Sequence, residues 1–358
     1  MTFVYSNSPL GVIDITDPAA PQAKGNIDVG GEPTAVSMLG QVAMVGMNTS
    51  ESFVAPSGSL KAYDIDTKAA LSACDLGSQP DSTAITPDGS FITITTENER
   101  DEDAGDGRTG QLPAGYVVVL SKAGEILSHL STGAVDLDQI DATDERGALR
   151  FTESQAGRIR EPDGVQWIDY AHFAIANEGD MDGGACGWAI FNKDSAEIFE
   201  AGNSFEHAIV QNEHYPDKRS GAKGAEPEGM EIATFDGTPY AFILAERASV
   251  VGVYDVTDSA TPVLTQMLPS GIAPEGAIAI PSRGLFVTAN DADLIEDGGI
   301  RSHVMIYEYQ DATANYPQLN SAGADTLIGW GVISGMVAGE NGIVYAVINR
   351  RFSPLIPL

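Results

Sequence analysis

The residues with the clearest chemical potential are carboxylates set beside prolines in a recurring plan. Glu226-Pro227-Glu228-Gly229 is the fullest copy. Gly31-Glu32-Pro33-Thr34, Gln79-Pro80-Asp81-Ser82, Glu161-Pro162-Asp163-Gly164 and Ala273-Pro274-Glu275-Gly276 repeat it, each opening onto an apolar run. Carboxylates brought to one place repel one another unless a proton or a cation relieves them. Glu32, Asp81, Asp163, Glu228 and Glu275 are therefore expected to ligate a metal. Ca²⁺, or another divalent cation, suits an all-oxygen set because its shell is flexible and takes several oxygens. The plainer alternative is that each carboxylate caps a turn or pairs with a cation.

A second layer of polar residues follows the next strand of each copy. Asn98 and Glu99, Asn177-Glu178-Gly179-Asp180, Glu246-Arg247 and Asn290-Asp291 belong to it. Asn177 and Glu178 are expected to touch substrate. Arg247 is expected as a catalytic residue that steadies developing negative charge, its guanidinium fork matching phosphate or carboxylate; the commoner alternative is half of a structural ion pair. The segments Asn203-Ser204-Phe205-Glu206-His207 and His214-Tyr215-Pro216-Asp217-Lys218-Arg219 mix histidine and cations in an otherwise acidic chain. His207, or a carboxylate such as Glu206, is expected as general base, and Lys218 and Arg219 as anion binders; the bland alternative is a solvated loop. Asp101–Gly107 loosely resembles a Ca²⁺ loop but lacks the distal bidentate Glu. No Gly-x-Ser-x-Gly elbow, His-Glu-x-x-His helix or Walker loop is present.

What must position these residues is a series of short strands. Pro33 and Pro80 are 47 residues apart, and so are Pro227 and Pro274. About 40–50 residues is the length of one propeller blade. Between successive prolines the sequence holds strand-like runs such as Val42–Met47 and Leu60–Ile65, punctuated by Gly, Asp and Pro turns. The pattern predicts an all-β, single-domain propeller over residues 1–358 with four-stranded antiparallel blades. Six blades are expected, with seven the alternative. Pro80 to Pro162 spans 82 residues, which predicts a two-stranded insertion or a degenerate blade. The first strands lack an inner partner and the last inner strand lacks outer ones, so the two ends are expected to share a closing blade. Asn203 to Ala225 reads as a long polar loop.

Composition limits the function classes. The chain has 51 acidic against 19 basic residues and a net charge of −32. Such a surface repels nucleic acid and anionic membranes, so neither is expected as a partner. It serves solubility or high salt, cation recruitment, or both. No apolar run approaches the roughly 18 residues that span a bilayer. Cys74 and Cys186 have no metal-ligand spacing and read as buried or free thiols. Met1-Thr2-Phe3-Val4-Tyr5 lacks the basic start and apolar block of a signal peptide.

Taken together, Glu97–Glu102, Arg160–Asp163, Ala176–Asp180, Gly202–His207, His214–Gly221 and Glu226–Gly229 resemble bacterial phytase-like and alkaline-phosphatase-like β-propeller proteins. That group is associated with esterase-like activity and borders on the choice-of-anchor proteins. The resemblance runs through nearly the whole chain. It implies a propeller, export in the parent family, and hydrolysis of phosphate or other esters with Ca²⁺ or a similar ion. The chain departs from the family by skipping one blade before Gly133-Ala134-Val135-Asp136 and by stopping soon after Ile348. The combined expectation is a metal-dependent hydrolase acting on a small ester, phosphate or carboxylic ester or lactone, at the axial mouth. A non-catalytic Ca²⁺-binding platform is the alternative.

Overall fold

The computed structural model describes residues 10–14, 22–52, 55–96, 116–122, 130–136, 140–142, 155–158, 161–179, 186–193, 196–219, 223–310, 312, 319–325, 328–330 and 333–348. Two compact units divide the chain. The first takes Met1–Ile140, Ile159–Asn177 and Ala189–Phe199; the second takes Asp141–Arg158, Glu178–Trp188 and Glu200–Leu358.

Glycine, proline and aspartate turns cut the chain into strands too short to stand alone, so each pairs with its neighbour in sequence. β1 (Leu10–Asp14) and β2 (Gln22–Ile27) form a hairpin. β3 (Glu32–Leu39), β4 (Val42–Asn48), β5 (Gly58–Asp64) and β6 (Ala70–Asp75) make an antiparallel meander. β7 (Pro80–Ile85), β8 (Phe91–Thr96), β9 (Tyr116–Lys122) and β10 (Leu130–Asp136) make the next. β11 (Ile140–Ala142) pairs with β12 (Gln155–Arg158), which agrees with a two-stranded insertion. β13 (Pro162–Trp167), β14 (His172–Asn177), β15 (Gly187–Asn192) and β16 (Glu197–Glu200) form a third four-stranded sheet. A helix, α1 (Ser204–Gln211), follows. β17 (Pro227–Phe235), β18 (Thr238–Ala245), β19 (Val250–Asp255) and β20 (Val263–Pro269) form the fourth. β21 (Pro274–Ile280), β22 (Leu285–Asn290) and β23 (His303–Glu308) make a three-stranded sheet, and β24 (Ile333–Ala338) pairs with β25 (Val344–Ile348).

The chain is all-β and antiparallel, and its sheets have the strand order of propeller blades. Within the first unit β3 packs against β7 and β7 against β13; within the second β17 packs against β21. First strands of successive sheets lying side by side is the inner wall of a propeller. Four full blades stand among the described residues, and the expected six are not supported. The higher count needed a fourth strand near Tyr316, which lies outside the described residues. It also needed a closing blade from the chain ends, where the described strands form two two-stranded sheets. The acidic stretch Glu97–Gly107 also lies outside them. Asn203–Ala225 is not a plain loop, because it carries α1, with Phe205, Ile209 and Val210 buried.

The cores are apolar seams between sheets. Leu60, Ile92 and Ile94 fill one in the first unit, and Phe242, Leu244, Val251 and Phe286 fill one in the second. Phe242 stacks on Phe286 at 4.1 Å between centroids, joining β18 to β22. Second and third strands carry most of the burial: β4, β15, β18 and β19 are buried along most of their length.

Candidate metal centre

The proline plan has a structural meaning in the register. At all five copies the ladder shifts just past the proline. Pro227 pairs with Ala245 and Met230 with Ile243, so Glu228 and Gly229 together oppose Leu244. Asp81 with Ser82, and Asp163 with Gly164, are placed the same way; Glu275 alone is the extra residue of its strand. A bulge re-aims a side chain and breaks pairing locally. Four of the five expected ligands, Asp81, Asp163, Glu228 and Glu275, are thus bulge residues. Glu32 precedes its proline, pairs with Asn48 and accepts a hydrogen bond from Asn48 Nδ2 at 3.0 Å. Burial pushes the Glu32 carboxyl up from its usual range, and that bond partly offsets the rise.

The residue before the proline is strained in the fullest copies. Glu226 has φ 56° and Glu161 φ 44°, left-handed values that a residue before proline rarely takes. Glu226 is held there from several sides. Its N–H donates to Lys223 O at 3.2 Å, and its carbonyl accepts from Glu246 N at 2.9 Å. Gly229 is needed for a different reason: a Cβ there would collide with the Glu275 carbonyl on β21.

In the second unit these devices bring carboxylates together. Ligand oxygens of Glu178, Glu226 and Glu228 all lie within 4.8 Å of one another. Glu246 joins them through a hydrogen bond with Glu228. Three cations face the group. Lys223 Nζ meets Glu178 Oε2 at 2.7 Å, Arg219 Nη2 meets Glu226 Oε2 at 2.6 Å, and Arg247 Nε lies 2.8 Å from both Glu226 Oε2 and Glu246 Oε2. Among the described residues, carboxylates outnumber cations around this group. The strain falls on Glu228, whose pKa is pushed to about 11 by burial first, and then by Glu178, Glu246, Glu226 and Glu275. Burial, then Glu178, raises Glu226 to about 7 against the pull of Arg247 and Arg219. Desolvation also raises Glu246.

The donor set fits a hard divalent cation. All its donors are carboxylate oxygens from a β-turn, a bulge and a strand end, with the excess charge a cation would neutralise. Lys223 engages Oε2 of Glu178, and the arginines engage Oε2 of Glu226, with Arg247 Nη2 also donating to Glu226 Oε1 at 3.5 Å.

The other expected site residues are placed as follows. Glu275 is exposed on β21 and acts on Glu228 electrostatically. Glu32, Asp81 and Asp163 belong to the first unit, and the three-carboxylate group does not include them. Asn177 is buried at the end of β14, paired with Pro162. Glu206, on α1, is buried and accepts a hydrogen bond from Ala225 N at 3.3 Å, so it braces the segment entering β17. His207 is partly buried one position further along α1. Lys218 is exposed on the short 3-10 turn Asp217–Arg219. Arg247 is in the cluster, and so is Glu178, expected as a substrate contact and found among the candidate ligands. Sequence reasoning did not single out Glu226, Lys223 or Glu246 as site residues. The readable signal for Glu246 is its place: like Glu178, it follows the residue opposite a plan proline, while Glu226 directly precedes the proline of the fullest copy. Cys74 and Cys186 are both free thiols.

A family model for the choice-of-anchor I domain matches residues 1–139 and 181–259, more than half of the chain. The chain belongs to the choice-of-anchor I domain family. The match spans the bulge at Glu228 and all of Glu226, Glu246 and Arg247. It reaches the choice-of-anchor side of the expected resemblance and not the phytase-like or phosphatase-like side. No curated protein matches this choice-of-anchor I chain. Among solved structures it is similar to a functionally unknown protein from Desulfotomaculum acetoxidans DSM 771. That likeness has 13% identity and a TM-score of 0.45, over 81% of this chain and 69% of the other. It is also similar to hydrazine synthase of Kuenenia stuttgartiensis, with 14% identity and a TM-score of 0.39, over 80% and 86% of the two chains. Both likenesses are too slight to carry fold or chemistry across.

Proposed function

We propose that this choice-of-anchor I domain binds a divalent cation, Ca²⁺ foremost, at Glu178, Glu226 and Glu228, and hydrolyses a small ester there. The observation that carries the reading is the convergence of three ligand oxygens within 4.8 Å beside an uncompensated charge. A divalent ion bound there would polarise an ester oxygen and lower the pKa of water. The chain's own residues supply the rest. Lys223 orients Glu178 through its Oε2, and the arginines orient Glu226 through Oε2 at short range and Oε1 at 3.5 Å. Glu246, hydrogen-bonded to Glu228 and held by Arg247, is the carboxylate placed to take a proton. The same polarisation would serve a phosphate ester or a carboxylic ester or lactone.

The second reading is a non-catalytic Ca²⁺-binding propeller that serves as a platform. The observation favouring it is that Glu206, expected in the chemistry, is buried and bonded to Ala225 N. A panel of p-nitrophenyl acyl and phosphate esters separates the two. The hydrolase reading expects turnover that EDTA abolishes and Ca²⁺ restores, and that Glu228→Gln lowers at least ~100-fold with the fold intact. No turnover on any ester by the Ca²⁺-loaded protein would leave the platform.

A further inference from the structure

Arg219 and Arg247 reach the same atom from different segments: both bind Oε2 of Glu226, at 2.6 and 2.8 Å. Two guanidinium groups therefore stand side by side on one carboxylate. Glu226 is inside, its side chain 2% exposed, while Arg219 is 30% and Arg247 42% exposed. The carboxylate holds one edge of each guanidinium, and both side chains remain partly exposed. Each guanidinium carries five N–H donors in a planar fork. The recorded bonds use Nη2 of Arg219 and Nε and Nη2 of Arg247. Nη1 of each has no recorded partner among the described residues.

The pair is also fixed in position. Arg219 ends a 3-10 turn whose N–H donates to Pro216 O at 2.7 Å, and its carbonyl accepts from Gly224 N at 3.0 Å. Arg247 lies directly after β18, in a turn closed by Ser249 N on Glu246 O at 3.2 Å. Guanidinium groups set in place before a ligand arrives lose little freedom on binding it.

The charge balance gives the sign of that ligand. Glu178, Glu226, Glu228 and Glu246 face Lys223, Arg219 and Arg247. A divalent ion adds two positive charges beside these guanidinium groups, which favours an anionic ligand over a neutral one. We propose that Arg219 and Arg247 form a paired guanidinium clamp for an oxyanion, so that the substrate is an anionic ester, a phosphate ester foremost. This rests on the cation site proposed above and adds the charge of its substrate. Neutral esters and lactones would leave the outer edges of both forks without a partner.

The test is calorimetric titration of the full chain at neutral pH, with and without Ca²⁺, using phenyl phosphate, benzoate and neutral phenylacetamide. Ca²⁺ alone is titrated first into each protein. Wild type, Arg219→Gln, Arg247→Gln and the charge-keeping Arg247→Lys are compared after near-UV circular dichroism confirms folding. The clamp expects phenyl phosphate to bind Ca²⁺-loaded wild type and phenylacetamide not to. At Ca²⁺ saturation, set for each protein by its own Ca²⁺ titration, each Gln variant should lose at least ~10-fold in phenyl phosphate affinity, with Arg247→Lys between them and wild type. Benzoate binding as tightly as phenyl phosphate widens the class to carboxylates and keeps the clamp. Ca²⁺ binding with equal phenyl phosphate affinity in all four proteins, or with none in wild type, overturns it. If Ca²⁺ binds nowhere, the cation reading falls by itself. The clamp is then judged by the metal-free titration, where affinity unchanged in the Gln variants overturns it and affinity lost supports it.

Discussion

Glu228 is the residue on which the site turns. It sits in a bulge beside Glu178, Glu226 and Glu246, and its pKa of about 11 reflects burial among like charges. Glu226, at about 7, shares the same cause. A carboxyl whose folded pKa exceeds its unfolded value of about 4.5 binds its proton more tightly when folded. Its stabilisation is complete below about pH 4.5 and is lost as pH rises through the folded value. In EDTA the protein should therefore lose stability from about pH 5 to about pH 9, by at least ~2 kcal/mol. Glu226 contributes to the lower part of that window and Glu228 to the whole of it. Excess Ca²⁺ should flatten the profile, and Glu228→Gln should remove the loss above about pH 7. Urea midpoints across pH measure this. Stability that rises with pH in EDTA would show that Glu228 is an ordinary solvated carboxylate.

The element that builds the site is the first strand of each sheet, with its proline and bulge. Both were legible at different depths. The recurring Pro-acid plan and the 47-residue spacing located the inner strands, because proline and a bulge recur wherever a blade begins. The four-stranded meander was readable for the same reason. Glu178 and Glu246 were legible as members of the second polar layer, but not as partners of Glu228, because they follow the ends of other strands; Lys223 was not legible at all, because its turn is far in sequence from Glu178, the carboxylate it meets. α1 was missed because eight residues, about two turns, are too short for the i, i+3, i+4 spacing of Phe205, Ala208 and Ile209 to stand out from a loop. The blade count went too high because β23 and the terminal strands were credited with partners that the described sheets do not contain. The glycine after the bulge gives an element-scale test. Gly229→Ala drives a Cβ into the Glu275 carbonyl and should cost about 2–4 kcal/mol. Gly276→Ala, whose Cβ would meet only Ala289 Cβ at 3.6 Å, should cost about 1 kcal/mol or less. Equal urea midpoints for the two variants would mean that β17 and β21 are not in close approach at this point.

At the scale of the whole molecule the charge of −32 has two consequences. It concentrates cations near the surface in general, which makes weak Ca²⁺ association expected anywhere on the chain. It also makes a specific site distinguishable, because only a built site retains its ion at high salt, where loosely held counterions exchange away. The central claim is that this choice-of-anchor I chain holds one divalent ion on Glu178, Glu226 and Glu228. Equilibrium dialysis against Ca²⁺ in about 0.5 M NaCl, a salt level that screens surface charge to within a few ångströms, tests it most directly. One tightly bound ion per chain in wild type, and none in Glu228→Gln, is the predicted result. No retained ion in wild type, or the same retained ion in both proteins, would contradict it.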